Sequence, residues 1–312
     1  MIDTRKVAVI GCGFVGSACA FTLMQHGLFS EMVLIDLDQA RAEGEAMDIS
    51  HGLLFAKPMN IYAGTYADAV DADIAIVTAG ANQKPGETRL DLVRKNSKIL
   101  ISILDELKKS GFGGILLIVS NPVDILTRVA QKHSGLPEGR VFGSGTVLDT
   151  ARLKYLLGEH LSVDSRGVHA FIIGEHGDSE IAVWSSANVS GVPLHTFCEM
   201  RGFYDHDNAM REIGENVKNC AYAIIERKGA TYYGIAMAVQ RICEAVVRDE
   251  KSILPVSAAL HGEFGINDAT LSVPSVLGAN GVEKVVPISL SDDEVTRLRY
   301  SADMLKGIFA EL

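Results

Sequence analysis

A histidine between glycines, an Asp/Arg pair three residues apart and a polar loop after an apolar run are the segments whose residue types could carry chemistry. His176 lies in Gly-Glu-His-Gly-Asp directly after the apolar run His-Ala-Phe-Ile-Ile, so it is expected at a strand's end, where an imidazole can face a cleft. The sequence has nine histidines, and most histidines are surface or hydrogen-bonded core residues, so position alone leaves catalytic and structural readings open. Asp149 and Arg152 occur in Leu-Asp-Thr-Ala-Arg. Three apart on a helix they share one face, and by spacing alone an ordinary surface ion pair is the simpler reading. Asn121-Pro122 follows another apolar run, and the segment from Ala79 to Arg89 is polar and rich in Gly and Pro, which suits a solvated loop or a lid. If the chemistry is reduction of a ketone, the carbonyl oxygen needs a proton. Histidine titrates nearest to neutral pH and is the natural donor, with a carboxylate to fix its tautomer.

A second constellation is built from glycines. Gly11, Gly13 and Gly16 form Gly-x-Gly-x-x-Gly between the apolar run Val7 to Ile10 and the helix-forming stretch Ser17 to Gln25. That order of strand, turn and helix lets backbone amides hold a pyrophosphate. Asp36 closes the next apolar run 20 positions after Gly16, where an acid accepts hydrogen bonds from an adenosine ribose and repels a 2′-phosphate. NAD is therefore expected rather than NADP. No Lys follows Gly16, which removes the P-loop alternative.

These residues need a scaffold of strand ends. Val7 to Ile10, Met32 to Ile35, Ile74 to Val77 and Ile115 to Val119 read as buried parallel strands, the rhythm of a doubly wound α/β sheet. The second half reads as α+β: a helix around Thr150 to Glu159, a strand Val168 to Ile173 and a long helical stretch from Ala209 to Asp249. A capping box at Ser291 and Glu294 opens a final amphipathic helix. The pattern changes near residue 145, giving a dinucleotide-binding domain over 1–145 and an α+β substrate domain over 146–312, with no repeat or linker between them.

Composition narrows the function classes. With 312 residues and 47% hydrophobic content the chain can bury a full core. A formal net charge of −10 without a Lys/Arg run disfavours nucleic acid as a partner. No apolar stretch is long enough for a membrane helix and no signal-peptide pattern opens the chain, so a cytoplasmic enzyme is expected. The five cysteines are odd in number and lack CxxC spacing, suggesting neither a disulfide framework nor a metal site.

Taken together, GCGFVG, VLIDLD, AGANQKPGETRLDLV, SNPVDIL, GSGTVLDTAR, HAFIIGEHGD and KGATYYG make the chain resemble the lactate/malate dehydrogenases along nearly its whole length, most of all their bacterial lactate-type members. The resemblance implies a Rossmann-type fold and NAD-dependent interconversion of pyruvate and (S)-lactate, in a glycolytic or fermentative setting. It implies His176 as acid/base with Asp149 as its carboxylate partner, Arg152 as the two-pronged clamp on the substrate carboxylate, and Arg89 as the group polarising the ketone from a closing loop. It also implies that Asn121 and Thr231 line the pocket, and that Gly11, Gly13, Val15, Gly16, Asp36, Gly80, Ala81 and Asn121 contact the cofactor. Gln83 matches the position where malate enzymes carry Arg, so malate or another 2-hydroxy acid is the alternative substrate. A homotetramer is implied as well. So is an activating fructose 1,6-bisphosphate site at Lys154 and His169, although Lys154 stands where such a site usually has Arg. A short-chain reductase is excluded because no Tyr has a Lys four positions later. The remaining rival is a dinucleotide-binding protein that keeps the fold without catalysis.

Overall fold

The computed structural model describes residues 5–81, 86 and 88–312, with Arg89 as backbone alone. The strands of the described residues are β1 (Lys6–Ile10), β2 (Glu31–Ile35), β3 (Asn60–Ala63), β4 (Ile74–Val77), β5 (Ile115–Ile118), β6 (Val141–Gly143), β7 (Val168–Ile173), β8 (Ile181–Val189), β9 (Val192–Pro193), β10 (Ser252–His261), β11 (Asn267–Gly278) and β12 (Gly281–Val285). The helices are α1 (Phe14–His26), α2 (Gln39–His51), α3 (Arg89–Ser110), α4 (Val123–His133), α5 (Val147–Leu161), α6 (Leu194–Met200), α7 (His206–Lys228), α8 (Tyr233–Val247) and α9 (Asp292–Ala310).

The first six strands pair in parallel in the order β3-β2-β1-β4-β5-β6, the doubly wound arrangement. Their unbroken apolar runs follow from burial on both faces. Val7, Val9, Met32, Leu34, Ile74 and Ile76 face a core shared with α1, α2 and α8. Their neighbours Ala8, Ile10, Val33, Ile35, Ala75 and Val77 face the opposite core, shared with α3 and α4. At about 1.5–3 kcal/mol for each large side chain fully buried, these two layers are the main source of the sheet's rigidity.

The sheet does not end with the first half of the chain. The antiparallel strands β10, β11 and β12 extend it beyond β6 through the pair Ser257 and Gly143. A separate sheet holds β7, β8 and β9, bridged to the large one by reciprocal bonds of 2.9 Å between Gly174 and Ser272. The helical stretch expected from Ala209 to Asp249 is corrected to two helices. Gly229 adopts φ +84° and donates its N–H to Ile225 at 2.8 Å, a left-handed cap that ends α7. The break lets α8 leave its own half and pack on α1. The final helix opens on the expected capping box, with Ser291 and Glu294 bonded reciprocally.

Candidate active site

The dinucleotide turn sits at the switch point of the sheet, where β1 and β4 diverge. Gly11 has φ +100°, and a Cβ there would lie 2.6 Å from Ala79 N, so the turns after β1 and β4 touch. A Cβ on Gly16 would lie 1.8 Å from the Gly11 carbonyl oxygen, which fixes glycine at the point where α1 meets the turn. Gly13, by contrast, has open space above it. It is the N-cap of α1 and supplies no side chain to the first amides. This leaves a helix N-terminus beneath an unfilled cradle, the arrangement that accepts a pyrophosphate. Asp36 closes β2. Its two oxygens accept from Cys12 N at 2.6 Å and Asp38 N at 2.9 Å, so the acid expected at the ribose also anchors the turn. The residues present fit a dinucleotide.

Phe14 and Val15 open α1, and the Phe14 ring stacks on Tyr232 with centroids 5.5 Å apart. That contact brings the α7–α8 break, and Thr231 beside it, to the dinucleotide turn. After β4, Ala81 is held by the buried amide of Asn96. Asn96 Oδ1 accepts from Ala81 N at 2.8 Å, while Nδ2 donates to the Ala81 and Asn121 carbonyls at 3.3 and 2.9 Å. One side chain of α3 thus ties the ends of β4 and β5 together. Gly80 is exposed beside it. Gln83 and the Arg89 side chain lie outside the described residues.

The acid/base cluster is assembled at the ends of β6 and β7. Thr146 Oγ1 donates to the Ile172 carbonyl at 2.6 Å, and Thr150 Oγ1 accepts from Ile172 N at 2.9 Å. These bonds fasten the first turn of α5 to β7 and set Asp149 opposite His176. His176 Nδ1 donates to Asp149 Oδ2 at 2.5 Å, and Arg152 Nη1 donates to Asp149 Oδ1 at 2.8 Å. The pair that spacing assigned to the surface is buried, with side-chain exposures of 11% for Arg152 and 2% for Asp149. The Nδ1 bond leaves Nε2 of His176 for a substrate. Burial alone would lower the imidazole's proton affinity, but the charge and hydrogen bond of Asp149, then the charges of Asp124 and Glu180, raise its pKa to about 9. Burial works against ionisation of Asp149, yet His176 and Arg152 together hold its carboxyl below the ordinary range.

Sequence reasoning missed Asp124. On α4, it accepts from the His176 backbone N–H at 2.7 Å and from the Ser257 and Ser272 hydroxyls at 2.6 and 2.9 Å. Burial pushes its carboxyl up. The one available signal was a charged residue inside the apolar run after Pro122, which reads as a helix N-terminal charge. Glu180, also buried beside the pair, carried no signal at all.

A parallel sheet with a dinucleotide cradle at its switch point, joined to a buried carboxylate that holds a partly exposed imidazole, defines a dinucleotide-dependent dehydrogenase. The family sequence model for the NAD binding domain of lactate/malate dehydrogenase matches residues 5–143, and that for the family's alpha/beta C-terminal domain matches residues 146–312. The chain belongs to the lactate/malate dehydrogenase family, and its cofactor is NAD. It is 52% identical over 308 residues to an L-lactate dehydrogenase of Acetivibrio thermocellus, covering 99% of this chain and 97% of the relative. It is 54% identical over 303 residues to one of Priestia megaterium, covering 97% and 95%. The crystal structure of the minor L-lactate dehydrogenase of Enterococcus mundtii in its ligands-bound form superposes with a TM-score of 0.96 at 44% identity, covering 99% of this chain and 98% of that one.

Proposed function

We propose that the chain interconverts pyruvate and (S)-lactate, with His176 as acid/base. The observation that carries this reading is Asp149, buried and shared between His176 Nδ1 and Arg152 Nη1, since it holds a proton donor and a carboxylate receptor side by side. When bound, NADH supplies the hydride. His176 gives its Nε2 proton to the ketone oxygen in reduction and takes it back in oxidation. Arg152 pairs its free guanidinium edge with the substrate carboxylate, a planar fit that Lys cannot copy. Arg89 polarises the ketone, Asn121 and Thr231 line the pocket, and uncharged Gln83 leaves no partner for a second carboxylate. The cofactor is held by Gly11, Gly13, Val15, Gly16, Asp36, Gly80, Ala81 and Asn121.

In this reading the chain divides at 145/146; one family match ends at residue 143 and the other begins at residue 146, which supports a division close to that point. It acts in the cytoplasm in glycolysis or fermentation; no described helix is long and apolar enough to cross a membrane. It works as a homotetramer, which would cover exposed apolar side chains such as Met47, Leu54 and Phe55. Fructose 1,6-bisphosphate binds between subunits at Lys154, whose ammonium is lowered in proton affinity by partial burial, and at exposed His169.

The test is NADH oxidation with pyruvate and oxaloacetate side by side, repeated with the bisphosphate at pH 6 and pH 7.5. A higher kcat/KM for pyruvate is expected. Preference for oxaloacetate would move the reading to malate, and pyruvate curves unaffected by the bisphosphate at both pH values would remove the effector.

A further inference from the structure

We propose that Glu180 is a positioning residue for the acid/base: a buried carboxyl behind the Asp149–His176 pair whose ionisation keeps the proton on His176 at alkaline pH. This rests on the reading of His176 as proton donor. Glu180 is 4% exposed and closes the histidine turn by donating its backbone N–H to the Gly177 carbonyl at 3.1 Å. One ligand atom each from Asp149, His176 and Glu180 lie within 4.8 Å of one another. Both Asp149 oxygens are already engaged, by His176 and by Arg152, whereas buried Glu180 Oε1 has no hydrogen-bond partner among the described residues. An ionised carboxylate in that position is poorly solvated and stands next to a like charge, so the neutral form is favoured until the pH is high.

Glu180 also lines a cavity of about 350 Å³ between β8, α7 and α9. None of Asp149, Arg152 or His176 lines it. Glu180 therefore stands between the catalytic pair and a space apart from it, from which it can exchange protons without crossing the substrate. The charges facing it are Asp149 and Arg152 from α5 and His176 from its own turn. From α7 come Lys218 and the cavity-wall groups Asp207, Arg211 and Glu215, and from α9 comes Arg297. Burial and then Asp149 push the Glu180 carboxyl up to about 8, against the pull of His176, Lys218 and Arg152.

Glu180 and His176 thus titrate in one alkaline window and act as a pair. Below about pH 8 Glu180 is neutral and lends His176 no charge; above it, the carboxylate favours the imidazolium. Pyruvate reduction then persists to a higher pH than Asp149 alone would allow.

Glu180→Gln keeps the shape and removes the ionisation. In kcat/KM profiles for pyruvate, its alkaline limb is expected to move down by about half to one pH unit. The resulting loss is roughly threefold to tenfold at pH 9.5 and smaller at pH 6.5. Lys218→Met, which removes a cation that helps Glu180 ionise, is expected to move the limb in the same direction by less. A residue that merely fills space would lower activity equally at every pH. A Glu180→Gln limb superimposable on that of the wild type overturns the proposal, and if that variant does not fold, an unmoved limb in Lys218→Met does so. Substantial turnover in His176→Ala would instead overturn the reading of the acid/base itself.

Discussion

The dinucleotide turn and the acid/base cluster lie at strand ends of one molecule and are built on opposite principles. The turn is six consecutive residues whose contribution is backbone: amides, a left-handed glycine and the absence of a Cβ at Gly16. The cluster is side chains drawn from α4, α5, the segments flanking β7 and β8, and β10 and β11. The turn is specified sterically, so added volume should damage it. The cluster is specified by charge, so isosteric neutralisation should damage it. One region can therefore be broken while the other is left working.

The largest effect is expected from neutralising the cluster. Asp149→Asn preserves volume but removes the negative charge and one of the two acceptor oxygens, so a single amide oxygen can no longer serve both His176 Nδ1 and Arg152 Nη1. Misplaced acid/base groups cost on the order of 10²–10⁴ in turnover, and His176→Ala should fall in the same range. NADH affinity, followed by fluorescence, is expected to stay within about threefold, because the turn shares no charge with the cluster. A loss of NADH affinity equal to the loss of kcat would show that the two regions are one cooperative unit.

The converse experiment adds a single methyl group to the turn. Gly16→Ala places a Cβ 1.8 Å from the Gly11 carbonyl oxygen, where backbone has to move, and overpacking of this kind costs about 1–3 kcal/mol. Weakened NADH binding by about tenfold and a lower Tm are expected together. Gly13→Ala is the control, since no atom lies within 4 Å of its Cβ position. It should keep the Tm of the wild type and lose NADH affinity alone, because the methyl enters the space proposed for the pyrophosphate. Equal Tm losses in the two variants would contradict the steric account.

The same contrast explains what could be read from sequence. The turn was legible because its determinants are contiguous: strand, glycine spacing, helix, then Asp36. The strands of the parallel sheet were legible because burial on both faces leaves unbroken apolar runs, and β4 and β7 fall at the expected residues. β3, with partly exposed residues throughout, gave no such run. The α7–α8 break was missed because Gly229 interrupts an otherwise helical pattern by one backbone conformation. At the cluster, local spacing pointed the wrong way. An Asp/Arg pair three apart looks like a surface pair until Thr146 and Thr150 press α5 against β7. Asp124 left only the trace of a helix N-terminal charge and Glu180 none, because what gives them their roles is distant in sequence: the His176 turn for Asp124 and Asp149 for Glu180.

The smallest effect concerns stability, and it separates the regions by pH. The pKa of His176 is raised from 6.5 to about 9 in the folded chain. A group whose folded pKa exceeds its unfolded value contributes stability in full below the unfolded pKa, and that contribution is lost as pH rises through the folded one. His176 should therefore stabilise the chain at pH 6 and progressively less up to about pH 9, by at most about 3 kcal/mol. Glu180, raised to about 8, acts in the same direction from lower pH, so the informative quantity is a difference between chains. His176→Gln, which can still donate to Asp149 but cannot titrate, should show a flatter decline of Tm between pH 6.5 and 9 than the wild type, by a few degrees. In Gly13→Ala the slope should match that of the wild type, because the turn holds no group that titrates with the cluster. If His176→Gln and wild type decline in parallel, the imidazolium is not stabilised by Asp149 to the extent the 2.5 Å contact implies. The charge-built character of the cluster would then rest on Arg152 alone.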